Sequence, residues 1–480
     1  YADYFNGMED ENIVQAIPNA KASEWMEENI PLFECPQHNF EEMYYYRWWS
    51  LRKHIKETPV GYGMTEFLIQ RSYSDKYNLI ACAIGHHIYE SRWLRDPKYL
   101  DQIIHTWYRG NDGGPMKKMD KFSSWNADAI LARYMVDGDK DFMLDMAKDL
   151  ETEYQRWERT NRLKNGLYWQ GDVQDGMEES ISGGRKKKYA RPTINSYMYG
   201  NAKALSLMGI LSGNEGMAMK YGMRADTLKS LVENDLWNTR HQFFETVRID
   251  SSANVREAIG YIPWYFNLPD TTKKYEVAWK EIMDEKGFSA PYGLTTAERR
   301  HPEFRTRGVG KCEWDGAIWP FASAQTLTAM ANFMNNYPQT VLSDSVYFRQ
   351  MELYVESQYH RGRPYIGEYL DEVTGYWLKG DQERSRYYNH STFNDLMITG
   401  LIGLRPRLDD TIEVNPLIPA DKWDWFCLDN VLYHGHNLTI LWDKNGDRYH
   451  CGKGLRVFVD GKEAGHADTL TRLVCENALK

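Results

Sequence analysis

Residues 197–237 read YMYGNAKALSLMGILSGNEGMAMKYGMRADTLKSLVENDLW and carry the clearest fold signal in the chain. The apolar positions of this stretch are Ala202, Leu205, Met208 and Leu211, followed by Met219, Met223, Leu228 and Leu231. Both sets have the spacing of an amphipathic helix. The polar link at 212–216 contains two glycines, which favours a tight connection. The pattern therefore predicts an antiparallel helical hairpin made of residues 197–211 and 217–237.

Similar helical spacing recurs on both sides of this hairpin. The further predicted helices are 77–89, 127–134, 140–161, 274–285, 322–336, 343–357 and 392–403. Together with the central hairpin they make roughly a dozen helices, which is enough for a closed ring of hairpins. The sequence thus predicts a mainly α body at residues 41–408.

The pattern changes after Pro406. Residues 437–442 and 455–459 alternate as short strands, and the pairs Asn445-Gly446 and Asp460-Gly461 are hairpin signals. We therefore predict a small β domain at 409–480, and an N-terminal extension at 1–40 that packs on the helical body.

Composition limits the function classes. The chain has 17 Trp, 33 Tyr and 17 Phe, and aromatic faces stack on the apolar C–H faces of sugars. Many of these rings are also expected simply to fill a large core. A net charge of -10 disfavours a general nucleic-acid binder, and no apolar run is long enough for a membrane span. The six cysteines are scattered without a CxxC motif, so we predict no metal site and at most one disulfide, in the C-terminal part.

Three segments combine carboxyl groups with glycine and aromatic residues. Residues 168–180 read YWQGDVQDGMEES, residues 365–377 read YIGEYLDEVTGYW, and residues 312–321 read CEWDGAIWPF. Crowded carboxyls and aromatic neighbours raise a carboxyl pKa, which a general acid at neutral pH needs. Two carboxyls far apart in sequence fit acid–base cleavage of a sugar bond. A calcium-binding or plain surface loop at 168–180, a turn carboxylate at Glu368 and pure packing at 312–321 are the alternatives.

In this order the three segments resemble the six-hairpin (α/α)6-barrel glycosidases of the clan that contains processing α-glucosidase I, trehalase and mannosylglycerate hydrolase. Residues 174–180 are similar to the acid loop of that clan, approximately Glu-Ser-Gly-Met-Asp-Asn-Ser. Residues 314–319 resemble its Trp-x-Gly-Pro-x-Trp substrate loop. Residues 368–375 resemble its base loop, Glu-x-Tyr-x-Pro-x-Thr-Gly. Residues 45–49 sit where the family has an early aromatic substrate-binding loop.

The resemblance implies an (α/α)6 barrel and an inverting glycoside hydrolase. It places Glu178 at the general-acid position and Glu368 at the general-base position, with the two carboxyls ~6.5–9.5 Å apart. This chain has Glu where the family has Asp, so Asp175 remains a second candidate for the acid. Asp315 stands where relatives often have Arg, which indicates different sugar contacts.

The predicted substrate contacts come from these loops and from neighbouring helix starts. They are Arg47, Trp48, Trp49, Trp169, Gln170, Asn195, Tyr199, Trp264, Trp314, Asp315, Trp319, Tyr369, Trp377, Asn389 and His390. The basic run Arg185-Lys186-Lys187-Lys188 is interpreted as a solvated loop, with binding of an acidic substituent on the substrate as the alternative.

The predicted function is hydrolysis of an oligosaccharide or polysaccharide, with no cofactor and no nucleic-acid partner. One alternative is a polysaccharide lyase that uses Tyr388, Asn389 and His390 with the Lys186 cluster. Another is a carbohydrate-binding relative without catalysis. The first residue is Tyr1, so a secretory signal is taken to have been removed, and a bacterial periplasmic or extracellular location is favoured over a cytoplasmic one.

Overall fold

Helices dominate the chain up to residue 401. The computed structural model describes residues 1–248, 251–272 and 275–480. The α-helices of these residues are α1 (Ala2–Asn6), α2 (Ala22–Asn29), α3 (His38–Arg52), α4 (Ile84–Ser91), α5 (Lys98–Arg109), α6 (Asn126–Asp137), α7 (Lys140–Asn161), α8 (Pro192–Ser212), α9 (Glu215–Leu231), α10 (Ile262–Tyr265), α11 (Pro320–Asn336), α12 (Asp344–Ser357) and α13 (Asn394–Leu396). Segments of 3-10 helix span Asn19–Lys21, Lys76–Asn78, Ala81–Ala83, Met119–Lys121, Val173–Asp175, Ala258–Tyr261, Tyr275–Ile282 and Glu383–Ser385. Two π-helical turns span Val232–Leu236 and Met397–Leu401.

Six of the described helices form a closed inner ring. Around it, α4 contacts α6, α6 contacts α8, α8 contacts α10, and α10 contacts α11; α13 then contacts both α11 and α4. Outer helices pack against this ring, with α7 on α6 and α8, α9 on α8, and α12 on α11. The chain is therefore an (α/α)6 barrel, which confirms the predicted fold class.

The central hairpin is formed by α8 and α9. Pro192 occupies the first turn of α8, where its missing N–H costs nothing, and Gly213 ends that helix at φ 72°. The Asn214 side chain then accepts from the Met217 backbone N–H at 3.0 Å, which caps α9. Local capping chemistry thus sets the sharp reversal between the two helices.

The buried face of α9 differs from the predicted one. Met219 and Met223 are 67% and 65% exposed, so their predicted core role is wrong. The buried positions are Tyr221, Ala225 and Leu228, at i, i+4, i+7 spacing; Leu228 was among the four predicted apolar positions, and Leu231 is half-buried. Methionines occur on both faces of this helix, so they do not identify the buried face. The buried face is the one on which Tyr221 packs against Tyr154.

Several predicted helices are confirmed and others are corrected. Residues 140–161 form α7 with the predicted bounds, and 127–134, 322–336 and 343–357 lie within α6, α11 and, apart from Ser343, α12. In the region predicted as a helix at 77–89, 3-10 turns precede α4, and at 392–403 a short α13 runs into a π-helical turn. The prediction at 274–285 begins at Lys274, which lies outside the described residues, and its described part is 3-10.

Residues 45–49 are helical, so their interpretation as a loop is wrong. They lie inside α3, where Tyr46, Trp48 and Trp49 are buried by neighbours on several sides. An aromatic run of this kind is compatible with a helix that is enclosed all round, because no polar face is then required.

The C-terminal part is a five-stranded antiparallel sheet. Its order is Leu32–Glu34, Trp425–Tyr433, His436–Asp443, Gly454–Val459 and Lys462–Ala467. Asp460 and Gly461 join the last two strands with φ of 48° and 78°, as a two-residue hairpin turn requires. The first strand comes from the N-terminal extension, which therefore pairs with the C-terminal sheet as well as contacting α3. All six cysteines are free thiols, so the disulfide considered for the C-terminal part is absent.

Short strand pairs shape the loops around the barrel. They are Ile55–Thr58 with Gly61–Met64, Trp169–Gln170 with Tyr189–Ala190, Trp237–Asn238 with Phe243–Phe244, Ser289–Ala290 with Gly293–Leu294, Tyr359–His360 with Arg363–Pro364, and Ile412–Val414 with Leu473–Cys475. In the part of the chain that the structure describes, no helix has the length and apolar character needed to cross a bilayer.

Candidate active site

The acid loop is held at both ends. Trp169–Gln170 pairs with Tyr189–Ala190 at its base, so the residues between them form a loop closed by this strand pair. Within it, the Asp172 side chain accepts from the Val173 N–H at 2.9 Å and starts a 3-10 turn that ends at Gly176, φ 72°. These local bonds fix the backbone immediately before Glu178.

Asp175 lies in the middle of this loop and is fully surrounded by partners. Its carboxylate accepts from the Arg191 Nε at 2.6 Å, and neither side chain has exposed surface. Further hydrogen bonds come from the Ser123 and Thr193 hydroxyls. Asp175 therefore ties the acid loop to the start of α8.

Replacing Asp175 with Asn is expected to destabilise the fold by about 3–5 kcal/mol, because it leaves the Arg191 guanidinium buried without its counter-charge. Urea unfolding followed by circular dichroism measures the change. Glu179→Gln is the matched control on the same loop, since its partner Arg185 is 60% exposed and such pairs contribute about 0–1 kcal/mol. Equal midpoints for D175N and E179Q would contradict this assignment.

Glu178 is half-buried and sits where the loop turns back on itself. The next residue, Glu179, has φ 69°, a left-handed conformation that non-glycine residues adopt at a cost. Burial, with smaller contributions from the charges of Asp172 and Glu368, raises the pKa of Glu178 to about 7. A carboxyl in this state holds a substantial share of its protons at neutral pH and is able to donate one.

Glu368 comes from the other loop, and its charge acts on Glu178. It is 5% exposed, and its carboxylate lies 3.1 Å from the Arg384 Nη1. Burial raises the pKa of Glu368 above its ordinary value, while Arg384, Lys379 and Arg71 act in the opposite direction. Three cations around one buried carboxyl favour its ionised form over that of Glu178, whose electrostatic neighbours are mostly acidic.

The backbone before Glu368 tolerates only glycine. A Cβ on Gly367 would lie 2.7 Å from the rings of both Trp377 and Tyr365. The Asp371 side chain accepts from the Thr374 N–H at 2.9 Å and closes the turn that follows. The glycine and the turn that suggested a base loop in the sequence therefore have defined structural roles.

A third buried carboxyl, Glu66, is electrostatically coupled to Glu368 and Glu178 and was not predicted. It is 3% exposed, and the Cys82 thiol donates to its Oε2 at 3.3 Å. Burial is the main cause that raises the pKa of Glu66 to about 8; the charges of Glu368 and Glu178 add to it, and hydrogen bonds from Tyr388 and Cys82 act against it. The mutual effects of the three carboxyls show that they share one electrostatic environment.

Aromatic rings form one wall beside these carboxyls. Trp314 stacks on Trp319 at 4.5 Å between centroids, and Trp319 stacks on Tyr369 at 4.5 Å. His390 lies 6.1 Å from Trp319 and 3.8 Å from Tyr388, the hydroxyl partner of Glu66. Within the described residues, the ring nitrogens of Trp314, Trp319 and His390 are buried without a hydrogen-bond partner. This wall therefore combines packed aromatic rings with buried N–H groups whose hydrogen bonds are unmet.

Other predicted contact residues support the loops from behind. The Asn195 side chain bonds both the N–H and the carbonyl of Tyr168, at 2.7 and 2.8 Å. Arg47 donates to the Ser391 carbonyl at 2.8 Å, and the Asn389 amide donates to the Thr65 carbonyl at 3.1 Å. These side chains position the walls, and in the structure their polar atoms are directed at protein groups.

Asp315 of the substrate loop and Gln170 of the acid loop form hydrogen bonds with neighbouring backbone N–H groups. The Asp315 Oδ2 accepts from the Arg307 and Gly308 N–H groups, at 2.6 and 3.0 Å. Gln170 is buried and accepts from the Gly171 N–H at 3.0 Å. Trp169 is half-buried beside it, with the Lys188 Nζ 4.6 Å from its ring.

The remaining predicted aromatics pack in the core. Trp48 and Trp377 have no exposed surface, and the Trp49 indole donates to Asn6 at 2.8 Å. Trp264 packs edge-on against Trp279, and Tyr199 lies under Lys203. Their predicted role as substrate contacts stays a prediction; the structure shows them as core residues that support the barrel. No cluster of three or more His, Cys, Asp and Glu side chains able to hold a metal occurs in the described ranges.

Two family models match the chain. The model for a mannosylglycerate hydrolase MGH1-like glycoside hydrolase domain matches residues 76–391. This range includes most of the barrel and the three loops that carry the predicted site. Glu66 lies before it. The model for the C-terminal domain of glycosyl hydrolase family 65 matches residues 404–466, in the β part.

Solved structures agree with this assignment at the level of fold. A structure named sialidase is 97% identical with a TM-score of 0.99, and covers 100% of this chain and 44% of its own. This chain thus spans less than half of that relative. The GH63 mannosylglycerate hydrolase from Thermus thermophilus in complex with glucose is 12% identical, with a TM-score of 0.55. The match covers 74% of this chain and 99% of the hydrolase chain. The GH78 family rhamnosidase of a Bacillus species is 11% identical, with a TM-score of 0.61. The match covers 89% of this chain and 41% of the rhamnosidase chain.

Proposed function

We propose that this chain, which belongs to the mannosylglycerate hydrolase MGH1-like glycoside hydrolase family, cleaves a glycosidic bond by single displacement with inversion. The observation that carries the proposal is the contrast between Glu178 and Glu368. Glu178 has a pKa of about 7 among acidic neighbours, whereas Glu368, whose charge acts on Glu178, is paired with Arg384. Their environments separate one proton donor from one proton acceptor, which is what the reaction requires.

In this mechanism the Glu178 carboxyl donates its proton to the glycosidic oxygen. The bond between that oxygen and the anomeric carbon breaks, and its electron pair stays on the departing oxygen. The Glu368 carboxylate takes a proton from a water molecule, whose oxygen attacks the anomeric carbon from the opposite face. Glu178 ends as a carboxylate and Glu368 as a carboxylic acid, so a proton exchange with solvent restores both.

The neighbouring residues have supporting roles in this proposal. With a pKa of about 8, Glu66 is mostly protonated at neutral pH and adds little negative charge to the pocket. The stacked Trp314, Trp319 and Tyr369 rings are buried and hold the substrate loop against the loop of Glu368. Asp175 is a positioning residue, because Arg191, Thr193 and Ser123 already occupy its carboxylate.

The pH profile of the activity is expected to be bell-shaped. Glu178 must be protonated, so the rate falls as pH rises through about 7. Glu368 must be ionised, so the rate also falls as pH drops through its pKa, which burial raises above the ordinary value. The pH profile of kcat/KM reports these two limbs for the free enzyme. A flat profile from pH 5 to pH 9 would contradict the assignment of the acid, and E178Q, assayed on an activated substrate, is expected to lack the alkaline limb.

A glycan screen tests the proposal directly. The chain is incubated with bacterial, plant and host oligosaccharides and polysaccharides, and new reducing ends are measured, with E178Q as the inactive control. Proton NMR at early times identifies the anomer released from each substrate that is cleaved. A product of inverted configuration supports the mechanism, whereas an unsaturated sugar that absorbs in the ultraviolet would indicate a lyase. A periplasmic or extracellular location accompanies the proposal, because such glycans are met there.

A further inference from the structure

We infer that the substrate of the proposed glycosidase carries an anionic sugar on its leaving-group side, held by a cationic groove next to the acid loop. The groove is defined by Trp169, Lys121 and the run Arg185–Lys188, and this inference rests on the proposed function. The glycerate of a mannosylglycerate is also an anion on the leaving-group side, but it is smaller than the sugar unit that this groove is proposed to hold.

The groove is large enough for one sugar unit. Its volume is about 360 Å³, and Trp157 and Asn161 at the end of α7 form its floor together with Gly171 and Gln174 of the acid loop. Trp169 is half-buried, with part of its ring open to this space. An aromatic face at the wall of a polar groove is a surface on which a sugar ring stacks.

The charge of the groove is opposite to that of the whole chain. The chain has a net charge of -10, yet five of the groove residues are Lys or Arg. Asp120 is the lining carboxylate among the described residues, and it is already paired with Arg156. Lys186 and Lys187 are exposed, and the described residues offer them no ion-pair partner. A local positive field of this kind attracts anions, and it does so against the overall charge.

The groove adjoins the catalytic pocket on two sides. Arg185 is bonded to Glu179 at 3.0 Å, and its pKa is raised first by that hydrogen bond and also by the charge of Glu178. Across the groove, the Lys121 Nζ lies 5.6 Å from the ring of Tyr73. Burial raises the pKa of Tyr73, and the charges of Glu66 and Glu368 raise it further. The groove therefore lies beside the acid loop, one residue from Glu178 through the bond between Arg185 and Glu179.

Its position assigns the groove to the leaving group. A general acid must lie at the glycosidic oxygen that departs, and the base must lie on the opposite side of the ring. The groove is built from the same loop as Glu178, between residues 169 and 188, whereas Glu368 comes from another loop. A sugar in the groove would thus be attached through the oxygen that Glu178 protonates.

Binding by an E178Q background, in which no bond is cut, tests this inference. Isothermal titration compares an oligogalacturonide as the carboxylated probe, a chondroitin sulfate oligosaccharide as the sulfated probe and a neutral oligosaccharide of similar length. In the triple variant Lys186→Ser, Lys187→Ser, Lys188→Ser the affinity for the anionic probe is expected to fall about tenfold or more, since several exposed charge pairs are lost together. The affinity is also expected to fall with rising salt. Trp169→Ala is expected to weaken the same probe without changing its salt dependence.

A second lysine triple variant provides the control. Lys444, Lys453 and Lys462 are exposed in the C-terminal β part, so replacing them with Ser removes the same charge elsewhere. Dependence on the groove lysines, but not on these, supports the inference for whichever anionic probe shows it. Equal affinity of the groove variant and its parent for every probe would overturn it. If the wild type hydrolyses neutral glycans and the groove variant does so equally well, the inference fails and the proposed function stands. If anions bind through the groove lysines but no glycan is cleaved, the proposed function fails, and with it the leaving-group assignment.

Discussion

Replacing Glu178 with Gln is expected to lower kcat/KM on an unactivated glycoside by about 10²–10⁴-fold, the usual contribution of a positioned proton donor. The amide has nearly the same size but no proton of suitable acidity. An aryl glycoside with a good leaving group needs little protonation, so E178Q should lose much less activity on it. The comparison of the two substrates, by initial rates at several concentrations, isolates proton donation from binding.

Two neighbouring variants control for this result. Glu179→Gln changes a carboxyl one residue away whose partners are Arg185 and, at 3.9 Å, Lys311, and it should leave the substrate ratio unchanged. Asp175→Asn should lower stability, and any folded fraction should keep the wild-type ratio. If instead D175N remained folded and lost activity selectively on the unactivated substrate, Asp175 would be the acid and the assignment of Glu178 would be wrong.

Helical spacing predicted the barrel because most of its helices have one buried face. Residues 140–161 illustrate this, with buried Met143, Met146, Leu150 and Tyr154 on one side of α7. Spacing failed where burial is not one-sided. In α3, residues 44 and 46–52 are all buried, so the helix has no amphipathic period. At 397–401 the chain leaves the α-helical geometry for a π-helical turn, a departure that spacing alone does not reveal.

The two main carboxyls were predictable because their loops carry backbone signals. Gly176 and Gly367 are required by a left-handed turn and by close ring contacts, so the glycines mark the loops in the sequence. Glu66 has no such mark. It follows a strand in Met64-Thr65-Glu66-Phe67, and its importance comes from Cys82 and Tyr388, which only the closed ring brings to it. Sequence spacing cannot express that three-dimensional neighbourhood.

Replacing Glu368 with Gln is expected to lower activity by about 10²–10⁴-fold on both unactivated and activated glycosides. Water must be deprotonated whatever the leaving group, so a good leaving group should not restore the rate. This uniform loss distinguishes the base from the acid, for which the loss depends on the leaving group. Asp381→Asn is the control, because that carboxylate lies on the same segment, pairs with exposed Arg361 and has no proposed part in the chemistry.

A small anionic nucleophile sharpens the assignment of Glu368. Azide needs no general base, so adding it to E368Q with an activated glycoside is expected to restore turnover and yield a glycosyl azide of inverted configuration. Loss of the carboxylate charge leaves the positive charge of Arg384 unpaired, which should favour binding of the anion. Proton NMR of the azide product, and of the sugar that the wild type releases first, measures both configurations. Retained configuration in the wild-type product would mean that a carboxylate attacks the sugar itself, and Glu368 would then be a nucleophile and not a base.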